Sequence, residues 1–147
     1  MAEWNAAKAQ AAARLLELIV MRLISESIHV TAALGVADLL SDAPKSAEQL
    51  AEETGVDAAS LRRVLRGLVT FNVFSQDSKG RFAMAPMGEF LKREADGSLH
   101  SAAMFFGGER GARVDELLLH CVKTGETVGR KLAGSSSWIG WLQSDPE

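Results

Sequence analysis

The side chains able to do chemistry are few and scattered. His29, His100 and His120 lie far apart, with neither the i, i+4 spacing of a helical metal pair nor a neighbouring ligand set, so each reads as a structural histidine rather than a metal ligand. Cys121 follows His120, but consecutive residues on a helix point apart, so they do not make a thiolate–imidazole pair. As the lone cysteine, Cys121 forms no internal disulfide and predicts a reducing cytoplasm. Gly107-Gly108-Glu109-Arg110-Gly111 is glycine-rich, yet it follows Met104-Phe105-Phe106 in a helical pattern rather than a strand, which makes it a poor cradle for a phosphate or cofactor. Ser135-Ser136-Ser137 reads as a loop before Trp138. Arg62, Arg63 and Arg66 could meet phosphates, but residues 46–85 hold five basic and five acidic side chains, 5 − 5 = 0. A DNA reader rests on net phosphate neutralisation, and the whole chain carries −3, so nucleic acid is not the expected partner. These arginines read instead as a solvated face or as partners for carboxylates. The chemistry on offer is binding, not catalysis.

The elements that must position these residues are mostly helical. With 147 residues, 47% of them apolar, the chain can build one domain with a real core. Residues 5–28 are rich in Ala, Leu, Ile and Met without Gly or Pro, which predicts one long helix. Leu15, Leu18, Ile19 and the run from Met21 to Ile24 exceed the apolar stripe a surface helix needs, so a second chain is expected to cover one side. Arg14, Glu17, Arg22 and Glu26 interrupt the run, which excludes a signal peptide or a membrane span. His29 to Leu40 forms a second helical pattern with Val30, Leu34, Leu39 and Leu40 on one face, broken or closely crossed at Gly35 and ended before Pro44.

Ser46 caps a short helix, with Gln49 in capping-box spacing. Gly55 is placed as its left-handed terminator, with Val56 as the apolar plug of the turn. Asp57 caps the next helix, whose Leu61, Val64, Leu65 and Leu68 make a core stripe. Val73–Gln76 and Arg81–Met84 alternate as strands about the loop Asp77-Ser78-Lys79-Gly80. The expected fold class is mainly α: a winged helix-turn-helix with a small β-hairpin wing plus extra dimerisation helices. The expected organisation is one domain over 1–147, with dimerisation helices in 1–45, the winged helix in 46–86, and post-wing helices and a connector in 87–147.

Three segments carry a family resemblance. Leu34-Gly35 with Asp38-Leu39-Leu40, Leu50-Ala51 with Thr54-Gly55, Leu61-Arg62-Arg63 with Leu65-Arg66 and Leu68, and Phe82, Met84, Pro86, Gly88 and Leu91 resemble the N-terminal dimerisation and winged-helix domain of the plant-type, caffeic-acid-like O-methyltransferases and their bacterial relatives. Phe82 stands where that pattern has Tyr, and Ala85 where it has Thr. Leu117, Thr124-Gly125, Gly134, Trp141, Leu142 and Asp145-Pro146-Glu147 are similar to the family's connector, with Val114 in place of its Trp.

The resemblance implies a homodimer, or a heterodimer with a methyltransferase-like chain, acting on an aromatic or polyketide-like small molecule. S-adenosylmethionine is the cofactor of the full family architecture, held by a catalytic half that would follow Glu147. This chain is therefore expected to be inactive alone, to hold no cofactor, and to look cut at the doorway of a missing domain. In the family the post-wing helix and the partner's first helix line the acceptor pocket, so Met21, Ile24, Met104, Phe105 and Phe106 are the implied substrate contacts, beside His100 on the same apolar wall. Read as residues alone, the same side chains serve equally as core or interface. Three functions stay open: the dimerisation and substrate-capping part of a small-molecule O-methyltransferase, a stand-alone interaction subunit for such an enzyme, and a winged-helix transcription regulator.

Overall fold

The computed structural model describes residues 5–133. Helix α1 spans Ala6–Ala33, begun by the Asn5 side chain accepting from Lys8 N at 3.0 Å. It runs five residues past the expected end, because nothing between Ile28 and Ala33 disfavours a helix. The break falls at Gly35, whose φ of +66° no β-carbon-bearing residue adopts cheaply. A single-turn helix α2, Val36–Leu39, follows. The face proposed for the second helical pattern splits accordingly: Leu40 is buried, while Val30 belongs to α1 and is exposed.

The next two helices follow their local signals. In α3, Ala47–Thr54, the reciprocal capping box is present: Gln49 N donates to Ser46 Oγ and Ser46 N donates to Gln49 Oε1. Gly55 ends it at φ +71°. Val56 contributes its backbone N–H to Ala51 O, but its side chain is 37% exposed, so it is not the plug of the turn. Asp57 caps α4, Ala58–Val69, accepting from Ser60 N at 2.8 Å. Hydrogen bonds from the Ser60 side chain and then its backbone hold the Asp57 carboxyl below the usual range.

Strands β1, Phe74–Gln76, and β2, Phe82–Met84, pair antiparallel with Ser75 opposite Ala83. The loop between them is tied by Asp77, which accepts from Lys79 N, Arg81 N and Arg81 Nε; the Arg81 backbone bond leads in lowering its pKa. Lys45 adds a single bridge to Phe82 on the free edge of β2. A 3₁₀ turn at Gly88–Leu91 packs under the wing, so closely that a β-carbon at Gly88 would sit 2.4 Å from Val73 O. Helix α5, His100–Phe106, then lies on α1. The core of this part joins Val36, Leu50, Leu61, Leu65, Leu68, Phe74 and Phe82, with Val64 packed against it.

The chain divides into two compact units that part between Gly108 and Glu109. The second contains α6, Glu109–Thr124, and α7, Val128–Ala133, joined through Gly125 at φ +74°. Within it His120 Nε2 meets Glu126 Oε2 at 2.8 Å, and this bond is the first cause of a lowered Glu126 pKa. Leu118, Leu119 and Val122 of α6 are exposed. The proposed connector residues Gly134, Ser135 to Trp138, Trp141, Leu142 and Asp145-Pro146-Glu147 lie outside the described residues. Among the described residues, no helix is long and apolar enough to cross a membrane.

Candidate binding and pairing surfaces

Helix α5 is seven residues long and gains its position from α1 rather than from its own propensity. Two histidines mark its ends. At the first, His100 Nε2 donates to Ala32 O at 3.2 Å, turning this side chain toward α1 instead of leaving it on the apolar wall. At the other, the chain passes His29 through Gly107 and Gly108. A β-carbon at Gly107 would lie 2.4 Å from His29 Cβ and 2.5 Å from Ser25 O, and one at Gly108 would lie 3.0 Å from His29 Cε1. The two glycines are thus explained by close helix approach, and the turn they make is closed by α1. His29 Nδ1 is buried there with no hydrogen-bond partner among the described residues.

The implied acceptor contacts fall into two groups. Met21, Met104 and Phe106 are exposed, Phe106 at 66%, and the Phe105 ring stands edge-on to Phe106 with centroids 5.0 Å apart. Ile24 instead packs partly buried against the core. An apolar groove of about 320 Å³ opens between α1, the 3₁₀ turn and α5. Phe106 reaches it, together with Ile28, Phe90, Leu91 and Leu99; Met21, Ile24, Met104 and Phe105 do not line it. Sequence reasoning missed the groove. The signal available was the apolar set Met87, Phe90, Leu91 and Leu99 in a stretch otherwise read only for motif matches.

The outer part of α1 forms a third surface. Every residue from 5 to 19 is exposed, including Leu15, Leu16, Leu18 and Ile19. Its charges are satisfied within the helix, Arg14 with Glu17 at 2.7 Å and Arg22 with Glu26 at 3.0 Å. On α4, Arg62 pairs with Glu48 and Arg63 reaches Ser60 Oγ, so these arginines serve the chain's own surface. Among the described residues no cluster of His, Cys, Asp or Glu could hold a metal ion.

Comparison with known proteins agrees with this arrangement. The model of the O-methyltransferase dimerisation domain matches residues 7–94. Phenazine O-methyltransferase PhzM of Lysobacter antibioticus is 38% identical over 133 residues, which is 90% of this chain and 38% of that protein. The crystal structure of LaPhzM superposes with a TM-score of 0.82 at 37% identity, covering 92% of this chain and 40% of that one. Mitomycin 7-O-methyltransferase MmcR superposes with a TM-score of 0.81 at 33% identity, covering 96% and 42% respectively. The sequence thus spans about two fifths of these proteins, matching them as a winged-helix dimerisation domain. With the long uncovered helix, the hairpin wing and the matched residues in agreement, the chain belongs to the O-methyltransferase dimerisation-domain family.

Proposed function

We propose that this chain is the pairing and acceptor-capping domain of an S-adenosylmethionine-dependent methyltransferase acting on a planar aromatic or polyketide-like molecule. The observation that carries the reading is the exposed apolar end of α5, where Met104 and Phe106 are exposed beside Phe105. A short helix held to α1 at both ends presents a rigid, uncharged aromatic surface, which suits a flat apolar acceptor. Met21 of a second copy completes this wall across the pairing face, with Ile24 supporting it from the core side, and a related methyltransferase chain would meet the same face in a heterodimer. The names of two relatives, a phenazine O-methyltransferase and a mitomycin 7-O-methyltransferase, support the acceptor class. No methyl-transfer step belongs to residues 5–133, whose glycine-rich turn is closed against Ser25 and His29 and does not fit the methyl donor. A reducing cytoplasm suits the free thiol of Cys121.

The test is a domain exchange. This chain replaces the matching part of phenazine O-methyltransferase PhzM, and methyl transfer to a phenazine acceptor is followed. The chimaera is expected to be dimeric and active, and Met104→Ala with Phe105→Ala to raise KM for the acceptor while leaving KM for the methyl donor unchanged. An active chimaera whose acceptor KM ignores both substitutions refutes the capping role. Micromolar binding of S-adenosylmethionine to this chain alone refutes the assignment of the donor site elsewhere.

A further inference from the structure

We propose that His100 is a positioning residue for the acceptor wall: the hydrogen bond from its Nε2 to Ala32 O sets the rotation of α5, and so the direction in which Met104, Phe105 and Phe106 face. The inference rests on the acceptor-capping reading above and adds to it a residue that lies off the wall itself.

The bond closes the C-terminal end of α1. That helix has no basic side chain in its last turn, so its final carbonyls depend on donors from elsewhere. Ala32 is buried, and its carbonyl accepts from Gly35 N at 2.9 Å and from His100 Nε2 at 3.2 Å. A carbonyl only accepts, so Nε2 must carry a proton, and it does so in the neutral and the charged ring alike. The bond therefore survives a change of ring charge. For the same reason Nε2 has no lone pair with which to take a proton, and the side chain orients rather than reacts.

Helix α5 needs such a tie, since seven residues do not hold a helical shape alone in water. At its start Leu99 N donates to Phe90 O at 2.7 Å, while Ser98 Oγ accepts from His100 N and donates to Lys92 O, which fixes the backbone leading in. At its end Gly107 lies against Ser25 and His29, which sets how closely the helix approaches α1. Close packing of that kind has little directionality, whereas a hydrogen bond weakens steeply when its angle is lost. His100 and Met104, at i and i+4, share one side of α5 about 6 Å apart along its axis. Anchoring the first therefore registers the second.

Two substitutions separate position from polarity. The amide nitrogen of glutamine lies as many bonds from the backbone as Nε2, and that of asparagine as many as Nδ1, one bond short of the contact. In the PhzM chimaera described above, His100→Asn is expected to raise the acceptor KM about three- to tenfold, the worth of one hydrogen bond, with KM for the methyl donor unchanged. His100→Gln is expected to restore the parent value. Circular dichroism verifies the fold of each variant. A folded His100→Asn chimaera with the parent acceptor KM overturns the proposal, as does His100→Gln no better than His100→Asn, or a rise shared equally by both KM values. NMR of the imidazole nitrogens in this chain tests the contact without any substitution: a His100 ring protonated at Nε2 supports it, and a neutral ring protonated only at Nδ1 overturns it. If Met104→Ala with Phe105→Ala leaves the acceptor KM unmoved, the acceptor-capping reading fails and the proposal with it. If that pair raises KM and His100→Asn does not, the proposal alone fails.

Discussion

Gly107→Ala isolates the contact between α5 and α1 more cleanly than any truncation. Gly107 has φ −89° and ψ −10°, a conformation alanine adopts freely, so the substitution adds no backbone strain. Beyond the about 0.4–1 kcal/mol that alanine gains by restricting the unfolded chain, its effect comes from one methyl group. That methyl would lie 2.4 Å from His29 Cβ and 2.5 Å from Ser25 O, where ordinary contact begins near 3.4 Å, a deficit of 3.4 − 2.4 = 1.0 Å. Neither neighbour can yield by a rotamer change, because one is a backbone carbonyl and the other the first carbon of its side chain. The end of α5 must therefore lift from α1 by roughly 1 Å, and overpacking of this kind costs about 1–3 kcal/mol. Gly55→Ala is the matched control: its β-carbon meets nothing within 4 Å, but φ is +71°, so its cost of about 1–2 kcal/mol is purely conformational. Urea unfolding followed by circular dichroism reads both. A midpoint for Gly107→Ala equal to that of the parent would refute the packing argument, and with it the reason given for the paired glycines. Loss of the Phe105–Phe106 edge-on geometry with little loss of stability would show instead that α5 pivots about its His100 end.

Three other outcomes follow from the same structure. Leu65→Ala, at a position with no solvent exposure in the centre of the core, is expected to destabilise by about 2–5 kcal/mol in the same urea assay. Gly67→Ala is expected to stabilise by about 0.5–1 kcal/mol, since it lies in the interior of α4 and a β-carbon there meets nothing within 4 Å; a lower thermal midpoint contradicts this. The His120–Glu126 bond lowers the Glu126 pKa below 4.5, so it stabilises the α6–α7 turn fully above that ordinary value and is lost as pH falls through the lowered one. A pH titration of the Glu126 carboxyl by NMR is expected to move toward 4.5 in His120→Gln, and an unchanged curve rejects the coupling.

Residues 46–84 were legible because their signals are local. A capping box, a left-handed glycine, an Asp cap and an i, i+3, i+4, i+7 stripe each specify geometry within four or five residues, and all four appear in α3 and α4. The wing was readable for the same reason, with strand limits off by one residue. The end of α1 was not, since no residue after Ile28 opposes a helix until Gly35. Val56 was misjudged because an apolar residue after a terminating glycine is usually covered, and here it stays 37% exposed. The groove was invisible for a deeper reason: it joins Ser25 and Ile28 to residues 73–106, which only the docking of α5 on α1 brings together. Ile24 shows the same limit, since an apolar position on a helix with two apolar sides does not say which side meets its own core.

The bare outer half of α1 makes this chain's own concentration a variable of its folding. At 1.5 Å per residue the 28-residue helix is about 42 Å long. Ala6 to Ile19 are all exposed among the described residues, and an isolated helix of about that length is marginal in water. Residues 6–20 therefore hold their hydrogen bonds only as firmly as association allows, and mass action sets the fraction of time they are made. Backbone amides in this stretch should exchange with solvent faster on dilution, while those of α4 stay protected. Under the proposed pairing, the order of this segment would be borrowed from a second molecule.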